Sequence, residues 1–147
     1  MLYSLSRYNI LKMEGISMTL IRKSEENERA ARFAAKKGCY NVAVSRYYYS
    51  MLQKMLYYLK MKNKDLKVYE GKESHKKIKE DFMETFDKEY SGKNKNILRI
   101  SFNHFGMIKK FRVRADYHDS NINHEEYNTR IKTDLLKLLN SLKQIEK

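Results

Sequence analysis

The amino-acid sequence predicts an all-α protein, and three observations carry that prediction. Apolar residues recur every three or four positions along most of the chain, which is the spacing of amphipathic helices. No window alternates apolar and polar residues over the length of a strand with enrichment in β-branched residues. The chain contains no Pro, so Gly residues and polar clusters mark the breaks between helices. We therefore expect an up-and-down bundle of about five helices.

The first two helices of this bundle meet at Gly38. Residues 24–37 carry Ala on one side, and Gly38 follows them as a residue that ends helices. The next helix covers residues 39–61 and carries one long apolar stripe. The stripe consists of Val42, Ser45, Tyr48, Tyr49, Leu52, Met55, Leu56 and Leu59, and the Ala residues before Gly38 are Ala30, Ala31, Ala34 and Ala35.

Within the second helix, Tyr47, Tyr48 and Tyr49 are consecutive. Neighbouring positions on a helix point about 100° apart, so at most two of these rings can join the core and one remains near the surface. Base stacking is the other use of such rings in nucleic-acid proteins. Core packing is the interpretation that the helical spacing favours.

The third helix is expected to start at a cap on Ser74, after a polar loop over residues 60–71. It runs out near Gly92. Its apolar face consists of Ile78, Phe82, Thr85 and Phe86.

The fourth and last helices are separated by a loop over residues 118–123. Asn123 and Glu126 have the spacing of a capping box, so the last helix should cover residues 123–146. Together with the helix over residues 39–61, it is long enough to supply most of the core. The apolar positions of the fourth helix are Ile97, Ile100, Ser101, Phe105, Ile108 and Phe111.

The length of 147 residues corresponds to a single domain, residues 1–147. Residues 24–146 form the bundle, and residues 1–20 are either an extra helix or an ordered arm. No stretch reaches the roughly 18 apolar residues of a membrane span, and no signal peptide is recognisable, so we expect no membrane association. Cys39 is the single Cys, which excludes internal disulfides and fits a reducing cytoplasm.

Positive charge dominates the chain, with 31 Lys plus Arg against 18 Asp plus Glu and a net charge of +13. Lys is abundant together with Asn and Tyr, a composition typical of proteins encoded by AT-rich DNA, so the total alone is weak evidence for a nucleic-acid partner. Residues 91–115 nevertheless contain no acidic residue. This segment is either a solvated helix face or a surface that binds a polyanion such as RNA. Its basic residues are Lys93, Lys95, Arg99, Lys109, Lys110, Arg112 and Arg114.

Metal and cofactor chemistry have no support in the sequence. The Gly residues form neither a dinucleotide-binding loop nor a Walker loop, and we expect no cofactor. The four His residues lie in separate predicted elements without the spacing of metal ligands. They are His75, His104, His118 and His124, and of these we expect His75 to fix the start of the third helix.

The segment from Arg112 to His118, at the end of the fourth helix, is the most informative for chemistry. Arg112 and Asp116 are four residues apart and can pair on one helix face. In an unbroken helix, Arg112 and His118 would point about 120° apart. They can converge only if the helix ends near Tyr117 and the loop turns His118 back. The alternative is an ordinary surface ion pair followed by a loop His.

Three stretches of the sequence resemble the HEPN (higher eukaryotes and prokaryotes nucleotide-binding) family. They appear in the order in which the family carries them, and the resemblance covers residues 24–146. The first is similar to the family's Y-N-x-A-x-S-R-x-Y-Y-x-M helix, the second to a His-containing helix start, and the third to an R-x-x-A-D-Y signature. In this chain they are residues 40–51, residues 74–82 and residues 112–117.

The resemblance implies a HEPN-like helical fold and, for many members, a metal-independent endoribonuclease. In such members an Arg-x(4–6)-His motif forms a composite site across a homodimer, and Arg112 with His118 fits that motif. Asp116 would then orient Arg112, and Arg46 matches a position near the family's active cleft. Ser120 departs from the Arg-x(4)-His-x-Tyr variant of toxins that are paired with minimal nucleotidyltransferases.

We therefore expect a homodimeric RNA hydrolase of a toxin–antitoxin or defence system. The basic segment, with Arg46, would bind RNA phosphates, and Tyr and Met on the second helix would contribute to the dimer interface. The alternative is a non-catalytic HEPN module that binds a nucleotide or a partner protein. Such a partner could be a cognate antitoxin or a nucleotidyltransferase.

Overall fold

The computed structural model describes residues 7–92 and 95–145, with the side chains from Met18 onward except that of Ile97. The described residues form helices and turns and contain no β-strand, which confirms the all-α prediction. Seven α-helices follow one another along the described chain. They are α1 (Arg7–Lys36), α2 (Tyr40–Met61), α3 (Ser74–Glu89), α4 (Lys95–Asn103), α5 (Phe105–Tyr117), α6 (His124–Glu126) and α7 (Lys132–Ile145).

Two short segments complete the helical path. A 3₁₀ turn, Leu66–Tyr69, lies between α2 and α3, and a π-helical segment, Tyr127–Ile131, joins α6 to α7. Because α4 is separated from α5 by one residue and α6 runs into α7, the described part of the chain follows five helical rods. Helix α2 is the centre of the bundle and packs against α1, α3, α5 and α7.

Helices α1 and α2 form a closely packed antiparallel pair. Gly38 takes a φ of 76° in the turn between them, as the sequence predicts for a residue that ends a helix. The Ser24 hydroxyl donates to the Ser50 carbonyl oxygen at 3.0 Å, and the Ser50 hydroxyl donates to the Ser24 carbonyl oxygen at 2.8 Å. Small side chains let the two backbones approach, and reciprocal hydrogen bonds satisfy the buried hydroxyls.

Helix α1 begins earlier than the predicted residue 24. It spans 30 residues from Arg7, so residues 7–20 continue the same helix that ends at Lys36. Residues 1–6, the remainder of the predicted N-terminal arm or extra helix, lie outside the described residues. On the inner side of α1, Ala31 and Ala34 are buried, whereas Ala30 is exposed and was wrongly assigned to that side.

The apolar stripe of α2 forms the middle of the core. Tyr47 and Tyr48 are buried and Tyr49 is half-buried, so two of the three consecutive rings join the core as predicted. Val42 is 50% exposed and does not belong to the stripe, because it shares a side of α2 with the exposed Arg46, four residues later. The Tyr and Met side chains expected at a dimer interface are mostly buried within the chain itself. These buried side chains are Tyr47, Tyr48, Met51, Met55 and Tyr58.

The predicted start of α3 differs from the structure in one residue. Ser74 is the first helical residue, and the N-cap position belongs to Glu73, whose φ of 66° is left-handed and whose side chain makes no cap hydrogen bond. The predicted apolar face of α3 is confirmed, since Ile78, Phe82 and Phe86 are all buried.

The predicted fourth helix is two helices, α4 and α5, that meet at His104. Ile100 is 60% exposed rather than buried, because the break allows α4 to pack on α7 with a different face from the one the continuous pattern implies. Asn123 caps α6 as predicted, with its side-chain oxygen accepting from the Glu126 N–H at 2.8 Å.

Candidate active site

Arg112 occupies the inner face of α5 and is only 7% exposed. Its guanidinium carbon lies 4.8 Å from the centre of the Tyr48 ring and 5.9 Å from that of Tyr117. Its Nη1 lies 3.6 Å from Oδ2 of Asp116, which confirms the predicted pair. The buried Nε has no hydrogen-bond partner among the described residues. The cation is thus held in place by an aromatic ring beneath it and a carboxylate one turn along the helix.

Tyr48 connects Arg112 to His75. The Tyr48 side chain is fully buried, and its hydroxyl lies 3.3 Å from Nδ1 of His75. The His75 ring also meets Tyr49 edge to face, with 5.9 Å between ring centres. His75 sits in the first turn of α3, yet its ring bonds to α2 rather than to the backbone of its own helix start. His75 thus holds the first turn of α3 against α2, and its place beside Arg112 was not predicted.

The three stretches that resemble the HEPN family meet in this cluster. Tyr48 comes from the first stretch, His75 from the second, and Arg112 and Asp116 from the third. We call these four residues, with Tyr117, the Arg112 cluster. Helices α2, α3 and α5 position its members, and the two contacts of the buried Tyr48 ring bring the stretches together.

The electrostatics of the cluster follow from burial and nearby cations. Burial lowers the pKa of His75, and the positive charges of Arg112 and Lys109 lower it further. Burial raises the pKa of the Tyr48 hydroxyl, an effect that the charge of Arg112 opposes. His75 is therefore held towards its neutral form, the form that can accept a proton.

His118 directly follows α5, in the position that its convergence with Arg112 would require. The helix ends at Tyr117, and the His118 N–H donates to the Arg114 carbonyl oxygen at 3.2 Å. From there the backbone is extended, with a ψ of 150°, and the His118 side chain is exposed. Among the described residues, no hydrogen bond, ion pair or ring contact joins His118 to Arg112. The helix thus ends where convergence requires it, but within one chain the loop does not bring the His118 side chain into contact with Arg112.

The loop that follows His118 is held by hydrogen bonds from both α5 and α2. Arg114 donates to Glu126 at 2.6 Å and to the Asn121 carbonyl oxygen at 3.1 Å. The side chain of Asn41, at the start of α2, donates to Asn121 at 2.8 Å and accepts from the Ile122 N–H at 3.0 Å. Arg114, which was predicted to bind RNA, is thus engaged in holding this loop.

The first residue of α2 holds the end of the same loop. The Tyr40 hydroxyl bonds to Nδ1 of His124, and the Tyr40 ring stacks on Tyr127 with 4.7 Å between ring centres. Tyr40 and Asn41 of the first family-like stretch therefore hold the loop, whereas Tyr48 of the same stretch packs against Arg112.

The predicted RNA-binding residues fall into separate groups. Lys95 donates to the Asp87 carbonyl oxygen at 2.7 Å, and Arg99 pairs with the Asp87 carboxylate at 3.4 Å, at the last turn of α3. His75 lies in the first turn of α3, about 18 Å away along the helix axis at 1.5 Å per residue. The basic segment is therefore not one continuous surface.

Of the remaining members, Lys109 is half-buried and close enough to His75 to lower its pKa, and Lys110 beside it is exposed. Arg46 is bonded to Asn27 of α1 at 3.4 Å and lies about 200° around α2 from Tyr48, away from Arg112. Lys93 lies outside the described residues. Of the predicted set, Lys109 is the residue that α5 places next to the Arg112 cluster. Lys110 follows it in sequence and lies about 200° around α5 from Arg112.

No group of three or more His, Cys, Asp or Glu in the described part of the chain could hold a metal ion. No helix among residues 7–92 and 95–145 is long and apolar enough to cross a membrane. In comparisons with known proteins, no family model, no curated protein and no solved structure matches this chain.

Proposed function

We propose that this chain is a metal-independent endoribonuclease of HEPN type that acts in a toxin or defence system. The observation that supports the proposal is the meeting of the three family-like stretches around Tyr48. Residues up to 69 positions apart in sequence, Tyr48 and Tyr117, belong to one cluster that contains a fixed cation and an imidazole whose pKa is lowered by burial. The single Cys39, which is exposed and free, fits a cytoplasmic protein.

The chemistry of RNA cleavage without a metal needs three kinds of group. A base must activate the 2′-hydroxyl, an acid must protonate the leaving oxygen, and a cation must offset the charge that develops on the phosphorane. Arg112 serves as the cation, with Asp116 and Tyr48 limiting its orientations. His118 is exposed and free to donate or accept a proton at the substrate, and Lys109 and Lys110 bind flanking phosphates.

A second copy of the chain completes the site in this proposal. Within one chain the extended backbone after Tyr117 leaves His118 without contact to Arg112. A homodimer would bring two Arg112 and two His118 side chains to one cleft, and a phosphate could then bridge residues of different copies. This arrangement explains why a reactive pair need not touch within the monomer.

The alternative function is a non-catalytic HEPN module that binds a nucleotide, an antitoxin or a nucleotidyltransferase. The observation that favours it is the burial of Arg112, whose guanidinium contributes to packing on Tyr48. A module of this kind would bind its partner without cleaving RNA.

Cleavage assays on a mixed RNA pool separate the two functions. The wild-type protein should cleave RNA in the presence of EDTA, and His118→Ala should lose this activity while its circular dichroism spectrum stays unchanged. Loss of a proton-transfer residue costs about 10²–10⁴-fold in rate. His104→Ala is the matched control, since His104 is also exposed and lies outside the Arg112 cluster. If the wild type cleaves no RNA, or His118→Ala cleaves as fast as His104→Ala, the binding module is the better account.

A further inference from the structure

The proposed cleavage reaction moves two protons, so a composite site that uses one His118 at each cleaved phosphate needs a second proton carrier. The structure contains a second imidazole in the right surroundings. His75 contacts the hydroxyl of Tyr48, and Arg112 lies over the face of the same Tyr48 ring. The His75 side chain is half-buried. No other His is in contact with the Arg112 cluster among the described residues. His104 lies at the junction of α4 and α5, and His124 is bonded to Tyr40.

We propose that His75 is the general base of the site and that Tyr48 is the residue that positions it. This inference rests on the proposed function, and it assigns His118 the role of the acid. In the tautomer with the proton on Nδ1, His75 donates to the Tyr48 hydroxyl oxygen across the 3.3 Å contact. Nε2 on the opposite side of the ring then carries the lone pair that accepts the substrate proton.

The step balances without any further reactant. Nε2 of His75 takes the proton of the 2′-hydroxyl, and O2′ forms a bond to phosphorus. The bond from phosphorus to O5′ breaks, and O5′ receives a proton from the imidazolium of His118. The products are a 2′,3′-cyclic phosphate and a 5′-hydroxyl, and Arg112 offsets the negative charge on the phosphorane between the two proton transfers.

The surroundings of His75 fit a base better than an acid. From α2 it faces Tyr48 and Tyr49, and from α5 it faces Lys109 and Arg112. Lys79 lies one turn further along α3, with its ammonium 6.0 Å from the centre of the Phe105 ring. The nearest carboxylate in the cluster, Asp116, is paired with Arg112. Burial and these cations lower the pKa of the His75 ring, which favours the neutral form that a base requires.

The test compares pH profiles of cleavage for His75→Gln, His118→Ala and wild type. Gln retains a hydrogen-bonding group towards Tyr48 but cannot carry the proton. His75→Gln should reduce kcat about 10²–10⁴-fold with KM little changed, and the acid limb of the profile should disappear. His118→Ala should instead remove the alkaline limb. His104→Gln is the matched control and should stay within about two-fold of wild type.

Two further measurements keep the inference testable if His75→Gln folds poorly. Tyr48→Phe keeps the ring under Arg112 and removes the hydroxyl, so the midpoint of the acid limb should shift while KM stays constant. In the wild type, an RNA whose 2′-hydroxyls are replaced by hydrogen should shift the NMR signals of the His75 ring on binding.

The outcomes distinguish this inference from the function on which it rests. Cleavage that depends on Arg112 but proceeds at the wild-type rate and pH profile in His75→Gln overturns the role of His75 and leaves the ribonuclease intact. The same conclusion follows if the bound RNA leaves the His75 signals unmoved. A wild-type protein that cleaves no RNA overturns both.

Discussion

At the scale of single residues, Arg112 is the side chain whose environment differs most from its sequence-based description. Its pairing with Asp116 is confirmed, but the pair is not an exposed one, because the Arg112 side chain is only 8% exposed. A guanidinium on the Tyr48 ring is stabilised by the ring as well as by the carboxylate. An exposed ion pair of this spacing would contribute about 0.3–0.5 kcal/mol, and in the buried Arg112 the contact with the Tyr48 ring adds to it.

We therefore predict that Arg112→Ala destabilises the fold by about 2 kcal/mol, the value of a desolvated cation–π contact. Removing the side chain also leaves a void over the buried Tyr48. Urea unfolding followed by circular dichroism measures the change. Arg29→Ala, on the exposed side of α1, is the matched control and should stay within about 0.5 kcal/mol of wild type. Equal stability of the two variants would contradict the buried role of Arg112.

His75 makes stability depend on pH in a defined direction. Burial, then Arg112 and Lys109, lower its pKa from the ordinary value of 6.5 in the folded state. The unfolded chain therefore binds a proton at higher pH than the folded chain does. The contribution of His75 to stability is complete above pH 6.5 and is lost as the pH falls through the folded-state pKa.

The free energy of unfolding of the wild type should thus decrease below pH 6.5 more steeply than that of His75→Gln. NMR titration of the His75 ring should give a midpoint below 6.5, and Arg112→Ala should move that midpoint upwards. A midpoint at or above 6.5 in the wild type would show that the ring is not in the environment described.

At the scale of elements, the end of α5 and the start of α6 determine where His118 is placed. Arg114 of α5 and Asn41 of α2 hold the loop over residues 118–123, and its last residue, Asn123, caps α6. The Glu126 carboxylate receives Arg114. The predicted capping box is therefore half formed, with Asn123 accepting from the backbone and Glu126 paired elsewhere.

Asn123→Ala should destabilise the fold by about 1 kcal/mol, because the N–H of Glu126 loses its acceptor at the N-terminus of α6. Amide hydrogen exchange of residues 118–126 should accelerate in this variant more than exchange in α2 does. Asn103→Ala, an exposed Asn at the end of α4, serves as the control. Unchanged exchange in the loop would mean that the cap does not hold it.

Local spacing explains which elements were predictable. The helix end at Gly38, the buried face of α3 and the cap at Asn123 depend on residues within one or two turns of each other. The break at His104 was not predictable in this way, because the apolar positions on either side keep a helical spacing although α4 and α5 pack on different neighbours. The π-helical segment Tyr127–Ile131 likewise keeps the apolar pattern of an α-helix.

The candidate site was predictable only in part for a related reason. Arg112, Asp116 and Tyr117 lie within six residues, and their grouping follows from helix geometry. The contacts of Tyr48 with Arg112 and His75 join residues 64 and 27 positions apart. Amphipathic periodicity places Tyr48 in the core but does not tell which side chains from other helices will meet it.

At the scale of the whole molecule, the positive charge is divided rather than continuous. Lys95 and Arg99 pair with the end of α3, and Arg114 is engaged with the 118–123 loop. The charge beside the Arg112 cluster is that of Lys109, and the exposed Lys110 follows it on α5. Non-specific attraction of RNA to a chain of net charge +13 is expected in any case, so a variant test must keep the total charge change constant.

The double variant Lys109→Glu with Lys110→Glu should weaken RNA binding more than Lys132→Glu with Lys137→Glu, which makes the same change of charge on α7. Binding by the wild type should weaken steeply with salt, because neutralised phosphates release counterions. The salt slope should become shallower in the α5 variant. Fluorescence anisotropy with a labelled single-stranded RNA measures the affinity and its salt dependence. Equal effects of the two double variants would show that Lys109 and Lys110 contribute only through the net charge of the protein.

Complementation between two inactive variants tests whether the active site combines residues from two copies of the chain. Light scattering should report about twice the chain mass of 17.7 kDa. If a site combines Arg112 of one copy with His118 of the other, a mixture of the inactive variants Arg112→Ala and His118→Ala, unfolded and refolded together, should regain activity. Each mixed dimer would contain one intact Arg112 on one copy and one intact His118 on the other, and half of the dimers formed at random are mixed. Activity near one quarter of wild type is expected, since each mixed dimer then holds one of two possible Arg–His combinations. A mixture as inactive as its components, at a concentration where wild type is dimeric, would place the reacting pair within a single chain.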